Sequence, residues 1–171
     1  MTAEEFIKQF GVKRLFHFTD VRNLSSIGEY GLLRLAELRR RGVSVAAPGG
    51  NQWSHDADTR LGLDQYVHLC LFNQHPMEWT ARKEGHVQEI AFLQIDPAVL
   101  KADGLTFAPG VANKTGVPLL TLHEAIEQMD FAVVYTRTDW KDPAVLKRLL
   151  AARKYEVLVP ADIPVNMIRG L

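Results

Sequence analysis

Apolar positions along the chain fall into short runs with no single dominant period. Residues 3 to 9 place Phe6 and Ile7 among charged neighbours and read as a short helix. Leu15 to Phe18 is an apolar and aromatic strand, preceded by Gly11 and followed by Asp20. Asp20 then serves as an N-cap. Val21, Leu24 and Ile27 share one helical face behind it, with Gly31 as terminator. A second helix, roughly 33 to 41, ends at Gly42. Residues 46 to 63 carry Pro48, Gly49, Gly50, Asn51 and Gly62 with no sustained period, and read as an ordered loop with one helical turn.

Tyr66 to Phe72 and Ile90 to Ile95 are β-prone and read as interior strands. Pro97 to Lys101 is a helical turn, residues 104 to 119 a loop rich in glycine and proline, and Leu122 to Met129 a short helix. Phe131 to Thr136 reads as a strand. Pro143 to Arg153 reads as a helix with proline in its first turn, and Tyr155 to Val159 as a final strand. Short strands among short helices and long loops indicate an α+β domain over residues 1–171. Neither a phosphate-binding P-loop nor a GxGxxG turn is present, so a nucleotide would be held by other means.

Composition narrows this further. The chain is 47% hydrophobic and 23% charged, with 20 basic and 20 acidic side chains in balance. That balance argues against a strongly basic nucleic-acid binder, although Arg34 to Arg41 holds four arginines in a local run. No run approaches the length of a membrane span, and the glutamates in the first ten residues are unlike a signal peptide, so a cytoplasmic location is expected. The single cysteine, Cys70, cannot form an intramolecular disulfide; within an apolar strand it reads as a small buried hydrophobe. His68 and Cys70 alternate on one strand face, but two ligands without a third make no metal site, and none is expected.

Two polar side chains stand out. Glu156 interrupts the apolar run Tyr155-Glu156-Val157-Leu158-Val159; it shares a strand face with Leu158, opposite Tyr155, Val157 and Val159. It is either a strand-end charge reaching water or a carboxylate held in a cleft. His17 lies between Phe16 and Phe18, before Thr19, and is either a core histidine satisfied by backbone or part of a site.

Taken together, the motifs resemble the DarT toxin family. Leu15-Phe16-His17-Phe18-Thr19-Asp20, Asn23-Leu24-Ser25-Ser26-Ile27 and Gly31-Leu32-Leu33 resemble its opening. Asp58-Thr59-Arg60 is similar to its arginine-bearing segment. Asp64 to Trp79 is similar to its "DYVPFYF…SPMLY" block, and Phe107 to Asn113 to its Gly-Asn-Ala loop. Tyr135 to Trp140 and Tyr155 to Val159 follow its "DW…AEFLV" pattern. Five pieces in the same order span about residues 15 to 168.

The resemblance implies an ADP-ribosyltransferase-like fold, with a central split mixed or antiparallel sheet flanked by short helices. It implies NAD as co-substrate without metal, and a nucleobase in single-stranded DNA as acceptor. It also implies toxin activity with an antitoxin partner. Glu156 would be the catalytic glutamate and Arg60 would assist, holding phosphate or polarising the acceptor. His17 and Thr19 would contact the adenosine half of NAD, with Asn23 and Gly31 helping to form that pocket, and Tyr66 or Phe72 would stack on the nicotinamide. A carboxylate suits this chemistry because cleaving the nicotinamide–ribose bond develops positive charge on the sugar.

The chain departs from the family pattern at His68, where the pattern has proline, and at His75, where it has serine before Pro-Met. Both departures, and the neutral net charge, bear on the acceptor. RNA or protein therefore stays open as an alternative acceptor, and a nucleotide-binding module without catalysis is the alternative of another class.

Overall fold

The computed structural model describes residues 1–47, 52–85 and 88–171. Helix α1 (Ala3–Phe10) starts at a Thr2–Glu5 capping box and ends at Gly11. Strand β1 (Leu15–Asp20) follows. The Asp20 carboxylate accepts from the Arg22 backbone N–H at 2.9 Å and so caps a 3-10 turn, Val21–Asn23, which continues into α2 (Leu24–Tyr30). Asp20 also takes two bonds from the Arg22 guanidinium and one from the Gln88 backbone N–H. Those Arg22 bonds hold its carboxyl far below the usual carboxylate range. Helix α3 (Leu35–Arg41) stops at Gly42.

Helix α4 (Gln52–Leu61) occupies a stretch expected to be mostly loop. Pro48 to Asn51 of that stretch lie outside the described residues. No apolar period marks α4 because, apart from buried Ala57, its inner face carries polar His55 and Asp58, which look into a cavity rather than a core. Polar contacts hold it: Arg39 Nη1 donates to Thr59 Oγ1 at 2.7 Å, and Asn113 Nδ2 to Asp58 Oδ1 at 3.1 Å.

The remaining elements are β2 (Val67–Cys70), α5 (Pro76–Lys83), β3 (Ile90–Ile95), β4 (Thr106–Ala108), α6 (Leu122–Gln128), α7 (Phe131–Tyr135), α8 (Pro143–Ala152), β5 (Glu156–Val159) and β6 (Ile168–Arg169). Two of these correct the sequence reading. Residues 104 to 119 contain strand β4, a three-residue edge recruited by pairing Phe107 with Val157. Phe131 to Tyr135 is a helix, not a strand. Asp130 caps it by accepting from Val133 N at 3.1 Å and is itself held by Arg148 of α8. Phe131 and Val133 are buried in the core, so capping and packing override β-propensity.

The strands form one antiparallel sheet in the order β4-β5-β2-β1-β3-β6. On one face Leu15, Leu69, Leu93, Val157 and Val159 meet α1, α6, α7 and α8. Phe6, Phe107 and Phe131 pack there edge to face, with Phe6 and Phe131 centroids 4.8 Å apart. On the other face Leu158 joins Leu63, Ala108 and Ala112 in a smaller cluster. Among the described residues β1 and β3 pair over six positions and β2 and β5 over four, but β1 and β2 meet only at Phe16 opposite Cys70. The sheet is therefore split in its middle. No described helix is long and apolar enough to cross a membrane.

Gly31 fixes the rim of that split. Its φ is 78°, and a Cβ there would lie 2.3 Å from the Ile163 carbonyl oxygen, to which Leu32 N donates at 2.9 Å. Gly31→Ala is expected to cost at least about 1 kcal/mol, from left-handed strain added to the clash. Urea unfolding of the two proteins checks this; an unchanged midpoint would mean that the backbone at Ile163 yields freely.

Candidate active site

A cavity of about 310 Å³ opens where β1 and β2 part. Strand β1 supplies His17, Phe18 and Thr19 to it, α2 and its cap supply Ile27, Tyr30 and Gly31, and β2 supplies His68 and Cys70. Helix α4 adds His55 and Asp58, and β5 adds Glu156. His17, Phe18 and Thr19 are consecutive along β1, and all three border the cavity.

His17 spans the split. Its Nδ1 lies 3.0 Å from the main-chain carbonyl of His68, which can only accept, so Nδ1 carries the proton. Burial lowers the His17 pKa from its ordinary value, and the neutral ring leaves Nε2 as an acceptor. Thr19 and Asn23 are buried and joined: Asn23 Nδ2 donates to Thr19 Oγ1 at 3.0 Å and to Ala47 O at 2.7 Å, while Ala47 N donates to Asn23 Oδ1 at 2.9 Å. Asn23 thus pins the segment after α3 to the end of β1.

Glu156 begins β5 and is only 6% exposed. Its strand neighbours belong to the core, which leaves its own face to the cavity. His68 Nδ1 lies 3.1 Å from Oε2, and His75 Nε2 lies 3.5 Å from Oε1. His75 is buried and stacks on Phe18, with centroids 6.0 Å apart and planes at 18°. Asp58 faces the same group; burial pushes its carboxyl up, against the opposing charge of His68 and the hydrogen bond from Asn113. His68 also approaches the Leu63 carbonyl through Nε2 at 3.2 Å. Burial works against its charged form, but the hydrogen bond and charge of Glu156, with the charge of Asp58, outweigh it and raise its pKa. Burial pushes the Cys70 thiol well up, helped by the charges of Glu156 and Glu78, so it offers no thiolate.

Five sequence candidates are brought together: Glu156, His17, Thr19, Asn23 and Gly31 all line the cavity. Three are not. Arg60 is exposed in the last turn of α4, two residues beyond Asp58, and does not line it. Tyr66 packs against the Leu63–Leu158 cluster and Phe72 against the main core. Sequence reasoning passed over Phe18, Asp58, His68 and His75 as site residues. The departures from the family pattern at His68 and His75 were the available signal. Among the described lining residues there is no lysine or arginine, and no described group of three or more His, Cys, Asp or Glu side chains is placed to hold a metal.

An antiparallel sheet parted over a buried glutamate, with short helices around it, fits an ADP-ribosyltransferase-like α+β fold. The chain is similar to the DarT of Thermus sp. 2.9 solved in complex with ADP-ribosylated ssDNA, with a TM-score of 0.65 at 17% identity over 92% of this chain and 79% of that chain. The same Thermus protein solved with NAD+ gives a TM-score of 0.57 at 17% identity, over 92% and 79% of the two chains. Thermosipho africanus DarTG in complex with ADP-ribose gives 0.61 at 15% identity, over 91% of this chain and 42% of that one. No curated protein sequence matches the chain. The family model described as "ssDNA thymidine ADP-ribosyltransferase, DarT" matches residues 16–171, and the chain belongs to that family of NAD-dependent ADP-ribosyltransferases.

The neutral state of His17 has a measurable consequence. Its folded pKa lies below the ordinary imidazole value of 6.5, so the unfolded chain binds the proton more readily. Stability from this residue is present above that value and is lost as pH falls through it. Wild type is expected to lose more stability than His17→Gln between pH 7.5 and pH 5 in urea titrations. Equal losses would show that His17 is not held neutral.

Proposed function

We propose that this chain transfers a single ADP-ribose from NAD to thymidine in single-stranded DNA, as the cytoplasmic toxin of a toxin–antitoxin pair. The observation that carries the reading is Glu156, buried at the base of the split between β1 and β2 in a chain of this family. His17 Nε2 and the Thr19 hydroxyl offer an acceptor and a donor to the adenosine half of NAD, and the Asn23 clamp and Gly31 shape that end of the cavity. We assign the aromatic surface near the nicotinamide to Phe18, held by its stack on His75, since Tyr66 and Phe72 are committed to packing.

Glycosidic cleavage releases nicotinamide and leaves positive charge on the ribose. An anionic Glu156 in a site sheltered from water stabilises that charge and can accept the proton of the attacking base. Arg60 stands outside the cavity on α4. We give it the outer role of holding phosphate or polarising the acceptor, which a guanidinium fork suits.

Mass spectrometry of single-stranded DNA and RNA oligonucleotides incubated with NAD tests the proposal. A gain of one ADP-ribose on thymidine is expected, and Glu156→Gln is expected to lose about 10²–10³-fold in kcat. Arg60→Ala should raise KM for the oligonucleotide more than it lowers kcat. Release of nicotinamide without any modified oligonucleotide would move the acceptor to protein or water. No release at all would sink the enzymatic reading.

A further inference from the structure

We infer that His68 is a positioning residue for the reaction: as an imidazolium wedged between the Leu63 carbonyl and Glu156, it aims the catalytic carboxylate. The inference rests on the reading of Glu156 as the catalytic group. The geometry is simple. Nε2 lies 3.2 Å from a carbonyl oxygen and Nδ1 lies 3.1 Å from a carboxylate oxygen. Both partners accept and neither donates while Glu156 is ionised, so both ring nitrogens must carry hydrogen. A neutral ring would satisfy one partner and turn a lone pair on the other.

The strand register enforces the contact. His68 stands opposite Leu158 and Cys70 opposite Glu156, so His68 and Glu156 are diagonal neighbours on one face of β2 and β5, within reach of long side chains. His68 Nδ1 engages Oε2, which leaves Oε1 beside His75.

The other ionisable groups around His68 agree in sign. From α4 comes Asp58, with His55 beside it; from the stretch before α5 comes His75; from β1 comes His17; and Cys70 shares its own strand. Burial favours the neutral forms of His17, His75 and Cys70. The cavity also holds no lysine or arginine among its described lining residues. His68 thus contacts Glu156 directly and also feels the charge of Asp58. Without its own positive charge the His68 ring can donate to only one of its two partners, which frees the Glu156 rotamer.

The consequence is an alkaline limb in the pH profile: kcat falls as His68 loses its proton. Nitrogen-resolved NMR of the histidine rings, in wild type and in Glu156→Gln, tests the charge without needing turnover. Both His68 ring nitrogens are expected to be protonated at pH 7 in wild type, with titration above 6.5, and Glu156→Gln should move that titration down. In turnover, read as nicotinamide release whatever the acceptor, His68→Gln keeps a donor but no charge. It should lower kcat about 10- to 100-fold, the size of one hydrogen bond to a charged group, leave KM for NAD nearly unchanged and abolish the alkaline limb. A neutral His68 at pH 7 in wild type overturns the inference, as does an alkaline limb that survives unchanged in His68→Gln. Loss of oligonucleotide modification alone, with the NMR titration as expected, would count against the acceptor and not against His68.

Discussion

The parting of β1 from β2 is the constraint on which the rest of the structure depends. A central pair of strands that stops after one residue pair exposes main-chain groups in the middle of a sheet, where unsatisfied polar groups are costly. The fold meets that cost locally, by turning the His17 ring onto the His68 carbonyl. Each strand is meanwhile held in place by full pairing on its other side, β1 with β3 and β2 with β5. One apolar layer backs the sheet on one face, a smaller cluster covers the β4–β5 side of the other, and the glycine at position 31 lets the chain pass close to Ile163 at the rim of the opening.

Electrostatics inside that cavity follow from which side chains the split admits. Its carboxylates are countered by histidine rather than by lysine or arginine. A guanidinium would remain charged at every accessible pH, whereas an imidazole makes the charge of the site conditional on pH. The same choice involves a compromise. A cation beside Glu156 holds the carboxylate in place, but it also offsets part of the field that the carboxylate exerts on a developing positive charge. His17 and His75, held neutral by burial, serve hydrogen bonding and packing, so three histidines in one cavity play different parts for reasons of environment alone.

The outline of the fold was legible where local rules dominate. Asp20, Gly31, Gly42 and Pro143 mark element ends through capping and backbone freedom, and the elements they bound are the ones expected. The alternation along residues 155–159 separated Glu156 from the core face before any partner strand was known. Illegible segments were those whose conformation is decided by contacts distant in sequence. Helix α4 turns a polar face to a cavity and so lacks an apolar period; α7 is capped by an aspartate that Arg148 holds from 18 residues away; β4 is a strand because β5 lies beside it.

By itself, the sequence determined the types of chemistry available: one carboxylate in an apolar strand, a histidine between aromatics, and no phosphate cradle. Its ordered motifs were enough to point to an ADP-ribosyltransferase family. Only the tertiary structure decided which groups meet. It brought His68 and His75 onto Glu156 from 88 and 81 residues away, and left Arg60, Tyr66 and Phe72 outside the cavity. The reason is physical. A side chain's type is a local property, whereas its protonation state and its partners depend on burial and on strand register, and those arise only when distant segments pack together.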